Sequence, residues 1–130
     1  MNFPAELRYT KTHEWVRKAG DKLVVGITDY AQHEISDVVF AELPHVGQTA
    51  EQGKAISIVE SVKAAFDIYS PVSGTVKAIN TTLESDPAIV NEDPYGKGWF
   101  FELTPAKLAE WDSSLTKDQY EQMIRQGAAG

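Results

Sequence analysis

The residue best placed to do chemistry in this chain is Lys63, inside the run ESVKAAFDIYSPVSG at 60–74. Ahead of it Ile56 and Ile58 alternate with Ser57, and after it Phe66 and Ile68 alternate with Asp67 and Tyr69. That is the period-two pattern of half-buried strands, so Lys63 is predicted at or near the tip of a hairpin. Ser70, Pro71 and Gly74 end the second strand, because proline lacks the ladder donor and glycine frees the backbone. A primary amine on a short rigid hairpin is presented to another protein. From spacing alone a solvated turn lysine is the commoner case, since lysine is seldom buried and loops favour polar residues.

Three oxygen-bearing side chains form a second group. Thr12 and Glu14 are two apart and share a face if THEWV (12–16) is a strand, and Asp67 lies on the strand after the lysine. Without further information Glu14 and Asp67 read more readily as solvated edge charges. Glu60, three residues before the lysine, reads as an exposed strand charge. His13, His33 and His45 have neither helical nor hairpin spacing and no cysteine beside them, which argues against a metal site. No nucleophile-elbow pattern occurs, and GKGW (96–99) lacks the strand-turn-helix context of a phosphate loop. PYGKGW (94–99) is predicted to form a turn that packs Trp99, with Lys97 a solvated loop residue.

The balance of charges narrows the partners. Twelve basic against nineteen acidic residues leave a net charge of −7, which disfavours nucleic acid and suits docking onto basic protein surfaces. With no cysteine, disulfides, thiolate metal sites and cysteine nucleophiles are excluded, and any redox chemistry must come from an attached group. No apolar run is long enough to span a bilayer, and MNFPAELRYT has neither a signal core nor an arginine-rich transit pattern. A bacterial-type cytoplasmic protein is expected, or a mitochondrial matrix protein if the chain is a processed eukaryotic one.

The elements that must position these groups follow from patterning. One domain is expected over 1–130, large enough for a core without staples. Leu23, Val25 and Ile27 predict a strand; a short helix follows over 28–35 with Thr28 or Asp29 as N-cap. Further strands are predicted over Val38 to Leu43, up to Lys63, after Lys63, over Thr75 to Ile79 and over Trp99 to Leu103. Short strands with Gly/Pro punctuation imply a mainly β fold of antiparallel sheets. Residues 80–96 read as a long loop. Thr104–Pro105 predicts the N-cap and first residue of a helix running to about Asp112, with Leu103 and Leu108 as its staple. Thr116 and Gln119 predict a capping box for a second helix whose Tyr120, Met123 and Ile124 share one face. These C-terminal helices are placed at about 104–126, with 127–130 frayed.

The lysine run closely resembles the modification site of the glycine cleavage system H-protein family. GITDYAQ (26–32), VVFAELPHVG (38–47), NEDPYGKGW (91–99) and THEWV resemble family segments in family order, so the likeness covers nearly the whole chain. ISD at 35–37 and Phe66 depart from the usual pattern without touching the lysine. The resemblance implies a barrel-sandwich hybrid and a lipoic acid joined covalently to Lys63. It implies a carrier and not a catalyst: a swinging arm takes the aminomethyl group of glycine from glycine decarboxylase (P protein) to the aminomethyltransferase (T protein), and dihydrolipoyl dehydrogenase (L protein) reoxidises it. Tethering raises the arm's local concentration at each stop. A lipoyl or octanoyl transferase or ligase must load it, reading exposed residues such as Glu60. Thr12, Glu14 and Asp67 are implied to dock the loaded arm, the hydroxyl of Thr12 standing where serine is usual. A monomer is expected, with no nucleic-acid or membrane partner. Two related roles are alternatives: a relay donating lipoate to other complexes, and a biotin carboxyl carrier. Val62 and Ala64 flank the lysine where biotin carriers have methionine, which argues against the latter.

Overall fold

The computed structural model describes residues 1–129, with side chains as far as residue 127. The larger sheet is built from β1 (Arg8–Tyr9), β2 (Glu14–Ala19), β3 (Lys22–Ile27), β5 (Thr49–Ala50), β8 (Gly74–Ile79) and β9 (Phe101–Pro105) in the order β1-β2-β3-β9-β8-β5. The smaller sheet holds β4 (Val38–Glu42), β6 (Ala55–Ser61) and β7 (Ala65–Tyr69) in the order β4-β6-β7. Every pairing is antiparallel. Among the described residues five helices complete the fold: α1 (Asp29–Ile35), α2 (Thr82–Ser85), α3 (Ile89–Glu92), α4 (Ala109–Asp112) and α5 (Lys117–Ala129). The architecture is the expected mainly β one, as two open sheets; among the described residues no barrel closes.

The β2–β3 hairpin explains how the two sheets share one molecule. Its residues are buried on both faces: Val16, Leu23, Val25 and Ile27 enter the main core, while Trp15 and Val24 enter a second cluster with Leu7, Tyr9 and Tyr120. A strand covered on both sides must read as a continuous apolar run, and LVVGI does. In the second cluster Tyr9 and Tyr120 stack with ring centroids 4.8 Å apart, and each buried ring contributes on the order of 2 kcal/mol through its apolar area. Tyr120 is carried by α5, which the Thr116–Gln119 capping box starts: Thr116 N donates to Gln119 Oε1 at 2.9 Å and Gln119 N to Thr116 Oγ1 at 3.3 Å.

The C-terminal region corrects one expectation. Thr104 and Pro105 do not open a helix; they end β9, paired with Thr75 and Gly74, and the first helix is the single turn α4. Leu103 is fully buried in the sheet core while Leu108 is 44 % exposed, so the two form no staple. Sheet pairing overrides a local capping signal, because the ladder and the burial of Leu103 both depend on it. The second helix extends to Ala129, beyond the expected end near 126; the fraying expected for 127–130 falls on this last stretch and on Gly130, which lies outside the described residues. Residues 80–96 are likewise not a plain loop. They hold α2 and α3, whose Leu83 and Val90 are fully buried, and Asn80 closes the excursion by donating to the carbonyls of Lys97 and Trp99, both at 2.8 Å.

Trp15 stands opposite Gly26 in the hairpin register and donates its indole N–H to the Pro94 carbonyl at 2.9 Å. A Cβ at position 26 would lie 2.6 Å from the indole carbons, and the ring is held at its far end. Gly26→Ala is therefore expected to lower stability by about 1–3 kcal/mol, the cost of overpacking a filled site. Urea denaturation would show this as a lower midpoint at unchanged slope; an unchanged midpoint would contradict the packing described.

Candidate functional site

Lys63 sits at the turn between β6 and β7, exposed, as the alternation on either side requires. The turn is built around one hydroxyl: Ser61 Oγ accepts from Lys63 N at 3.0 Å and Ala64 N at 3.2 Å, while Ser61 N donates to the Ala64 carbonyl at 2.9 Å. A second anchor comes from outside the hairpin, Val62 N donating to the Asp37 carbonyl at 3.0 Å. The lysine Nζ donates to the Glu34 carbonyl at 3.2 Å, in the last turn of α1. A helix C-terminus leaves carbonyls unpaired and carries partial negative charge, so it is a natural resting place for an ammonium group.

Beside this contact opens a cleft of about 300 Å³. One wall is α1, through Tyr30, Ala31, Glu34 and Ile35; the other is the β6–β7 hairpin, through Val59, Phe66 and Ile68. Thr12, Glu14 and Asp67 also line it, so the three oxygen-bearing residues singled out above border one cavity. They are not equivalent. Asp67 is exposed, and the register places it in one cross-strand row with Ile58 and Glu42, at the rim where the cleft meets the outer face of the smaller sheet. Glu14 is 1 % exposed.

The surroundings of Glu14 depend on contacts from three places. Its Oε1 accepts from the hydroxyls of Thr10 at 2.6 Å and Thr12 at 2.5 Å, and its Oε2 from the backbone N–H of Tyr69 at 3.2 Å. Tyr69 belongs to β7, an edge strand of the other sheet, so the carboxylate bridges the two sheets. Burial pushes its pKa up to about 7, with the three donors pulling part of the way back. Thr12 is not on a strand with Glu14, contrary to the reading of THEWV as one: β2 begins at Glu14, and His13 has φ 74°, a left-handed conformation that ends the strand. The two side chains meet through a turn. Thr10 was the member that reasoning from alternation missed, although it extends the same every-second-residue spacing.

His13 shows why that turn is rigid. Its Nδ1 lies 2.8 Å from the Tyr120 hydroxyl, which also lies 2.7 Å from Thr28 Oγ1, and Thr28 caps α1 by accepting from Ala31 N at 3.1 Å. Burial lowers the pKa of His13. The apolar lining residues Ile27, Ile35, Val59 and Ile68 serve as core and cavity wall together. A linear acyl chain on Lys63 would find apolar walls and, at their inner end, a carboxylate flanked by hydroxyls that suits a protonated amine.

The glycine cleavage H-protein family model matches residues 7–127. A glycine cleavage system H protein of Acinetobacter baumannii is 52 % identical over 121 residues, covering 93 % of this chain and 98 % of that one. One from Thermus thermophilus is 48 % identical over 128 residues, covering 98 % and 100 %. A crystal structure of a glycine cleavage system H protein from Mycobacterium marinum matches with a TM-score of 0.88 at 35 % identity, over 95 % of this chain and 99 % of that one.

The raised pKa of Glu14 has a definite sign in stability. A carboxyl group that holds its proton more tightly when folded contributes stability fully present below its unfolded pKa of about 4.5 and lost as pH rises through about 7. Relative to Glu14→Gln, whose amide can meet both the Tyr69 N–H and the threonine hydroxyls, the parent chain is expected to lose on the order of 2–3 kcal/mol between those limits. Paired urea titrations at pH 4.5, 6 and 8 would measure it. Parallel curves for the two proteins would show that folding leaves the Glu14 pKa unshifted.

Proposed function

The chain belongs to the glycine cleavage H-protein family, and from that membership together with the cleft beside Lys63 we propose that it carries the aminomethyl group of glycine between enzymes on a lipoyl group joined to Lys63 Nζ. The observation that carries the reading is the position of the Lys63 amine, hydrogen-bonded to Glu34 at the edge of a cleft whose floor is a buried carboxylate. When bound, a lipoyl amide supplies a disulfide/dithiol pair at the end of a flexible chain. Every other requirement falls on residues of this protein.

Lys63 supplies the attachment nitrogen, and the Ser61-centred turn holds it clear of the sheet so that a modifying enzyme can reach it. Acylation removes the ammonium charge and with it the electrostatic part of the attraction to the α1 C-terminus, freeing the side chain to move. Ile27, Ile35, Val59 and Phe66 offer an apolar bed for the arm. Glu14, oriented by Thr10 and Thr12, accepts a hydrogen bond from a protonated amine and gains charge pairing as it ionises. Thr12 contributes its hydroxyl oxygen from the same wall, and Asp67 offers a second carboxylate at the rim. The protein thereby shelters its cargo between visits and performs no bond-making itself.

The partners that fit this reading are glycine decarboxylase, the tetrahydrofolate-dependent aminomethyltransferase, dihydrolipoyl dehydrogenase and the enzyme that loads Lys63. The relatives named above are bacterial, which supports a cytoplasmic setting, and among the described residues no helix is long and apolar enough to cross a membrane.

Peptide mapping of the protein from lipoate-supplied cells is expected to find a lipoyl adduct on Lys63 that blocks tryptic cleavage there. Lys63→Arg keeps the charge and removes the acylation site, so glycine-dependent aminomethyl transfer should fall to background while the thermal midpoint stays within a few degrees, the range of a surface change. Transfer that survives the substitution would defeat the carrier reading.

A further inference from the structure

Beyond the cleft, the outer face of the smaller sheet carries a feature that the carrier role does not by itself require. Val39 is 54 % exposed, Phe40 49 % and Val62 69 %. In a regular strand two neighbours point to opposite faces, so Val39 and Phe40 should not both be turned to solvent. They are, because a β-bulge lies between Val38 and Phe40: the register passes from Val38 opposite Ser61 directly to Phe40 opposite Glu60. Val38 and Ala41, on either side, stay buried at 3 %. A bulge re-aims side chains at the expense of a regular ladder, and here it brings out two apolar ones beside the residues that lead into the Lys63 turn.

The setting is acidic. Glu60 faces Phe40 across the ladder, Glu42 follows on the same face, Asp37 holds Val62 through its carbonyl, and Glu34 holds the lysine Nζ through its own. All four side chains belong to exposed residues. We propose that Val39, Phe40 and Val62, rimmed by Glu34, Asp37, Glu42 and Glu60, form the docking surface for the enzyme that acylates Lys63, a partner whose contact face is apolar and flanked by basic side chains. The inference rests on the assignment of Lys63 as the attachment site.

Two physical points select that occupant among the partners of a carrier. The chain has nine lysines, so the amine alone does not identify the target and its surroundings must. Acylation also requires Nζ itself at the active centre, so the acylating enzyme must cover the surface around the Lys63 turn, to which this patch belongs through Val62 in the turn and Phe40 across the ladder from Glu60. An enzyme that acts at the far end of a long arm has no such requirement. The step is a simple transfer: deprotonated Nζ attacks the carbonyl carbon of an activated acyl donor held by the enzyme, the C–N bond forms as the bond to the donor's leaving group breaks, and one proton passes from nitrogen to an enzyme base. The acidic rim raises the encounter rate with a basic partner and makes it sensitive to salt.

The test is the rate of octanoyl or lipoyl attachment to unacylated protein by a bacterial transferase or ligase, followed by intact mass. The Val39→Ser/Phe40→Ser double variant should raise the KM for the carrier at least about tenfold, with kcat within about twofold of the parent, the pattern of lost docking contacts. Leu108→Ser, an exposed apolar site elsewhere, should leave both constants unchanged. Val62→Ser keeps every turn hydrogen bond and should show the same KM effect, which secures the result if the double variant folds poorly. Raising salt from about 50 to about 500 mM should increase the parent KM. Unchanged KM in both patch variants overturns the proposal. So does a patch effect confined to later turnover with glycine. If no protein, the parent included, is acylated at Lys63, the carrier reading itself fails.

Discussion

The fold turns on a carboxylate placed where two sheets meet. Glu14 begins β2 in the larger sheet and accepts a hydrogen bond from Tyr69 on the edge of the smaller one. Burying an acid costs several kcal/mol unless its oxygens are satisfied, and three donors satisfy them. An edge strand in turn carries unpaired N–H groups, and Glu14 answers one of them. The seam is therefore closed at Tyr69 by a polar contact instead of apolar packing. An oxygen-lined floor remains beneath an otherwise apolar cleft, which is the arrangement a carrier of an amine-bearing cargo needs.

The position of Lys63 relative to that floor depends on α1. Its N-terminus is capped by Thr28, whose hydroxyl meets Tyr120 of α5, and its last turn receives the lysine Nζ. Asn91 fixes the exit of the helix, donating to the Ser36 carbonyl at 2.9 Å and accepting from Val38 N at 2.8 Å. One short helix, held at both ends by residues distant in sequence, thus forms one wall of the cleft and seats the Lys63 side chain. Remote elements such as α3 and α5 consequently matter to the site without touching it.

Electrostatics runs through the same geometry in two ways. Around the hairpin, exposed carboxylates give the surface an acidic character. Inside the cleft, the deeply buried carboxylate of Glu14 is pushed by desolvation to a pKa of about 7. The same functional group therefore lends charge to the surface in one place and has a raised pKa in the other, and burial makes the difference.

Much of this was legible in residues 60–74, where period-two alternation located two strands and the turn between them, and in Thr28, Thr116 and Gln119, whose caps depend only on neighbours three residues away. Local signals failed where a distant partner decided the outcome. Thr104–Pro105 carries a helix-start pattern but pairs with Gly74 and Thr75, and Leu83 and Val90 nucleate single helical turns because the core needs their side chains. The sequence by itself determined the hairpin, its lysine, the charge balance and the absence of thiol chemistry, since each depends on residue type and short-range spacing. Only the tertiary structure decided that Glu14 is buried with a raised pKa, that Thr10 joins Thr12 in holding it, and that a bulge turns both Val39 and Phe40 outward. Those properties arise from desolvation and register between strands, which no local pattern encodes.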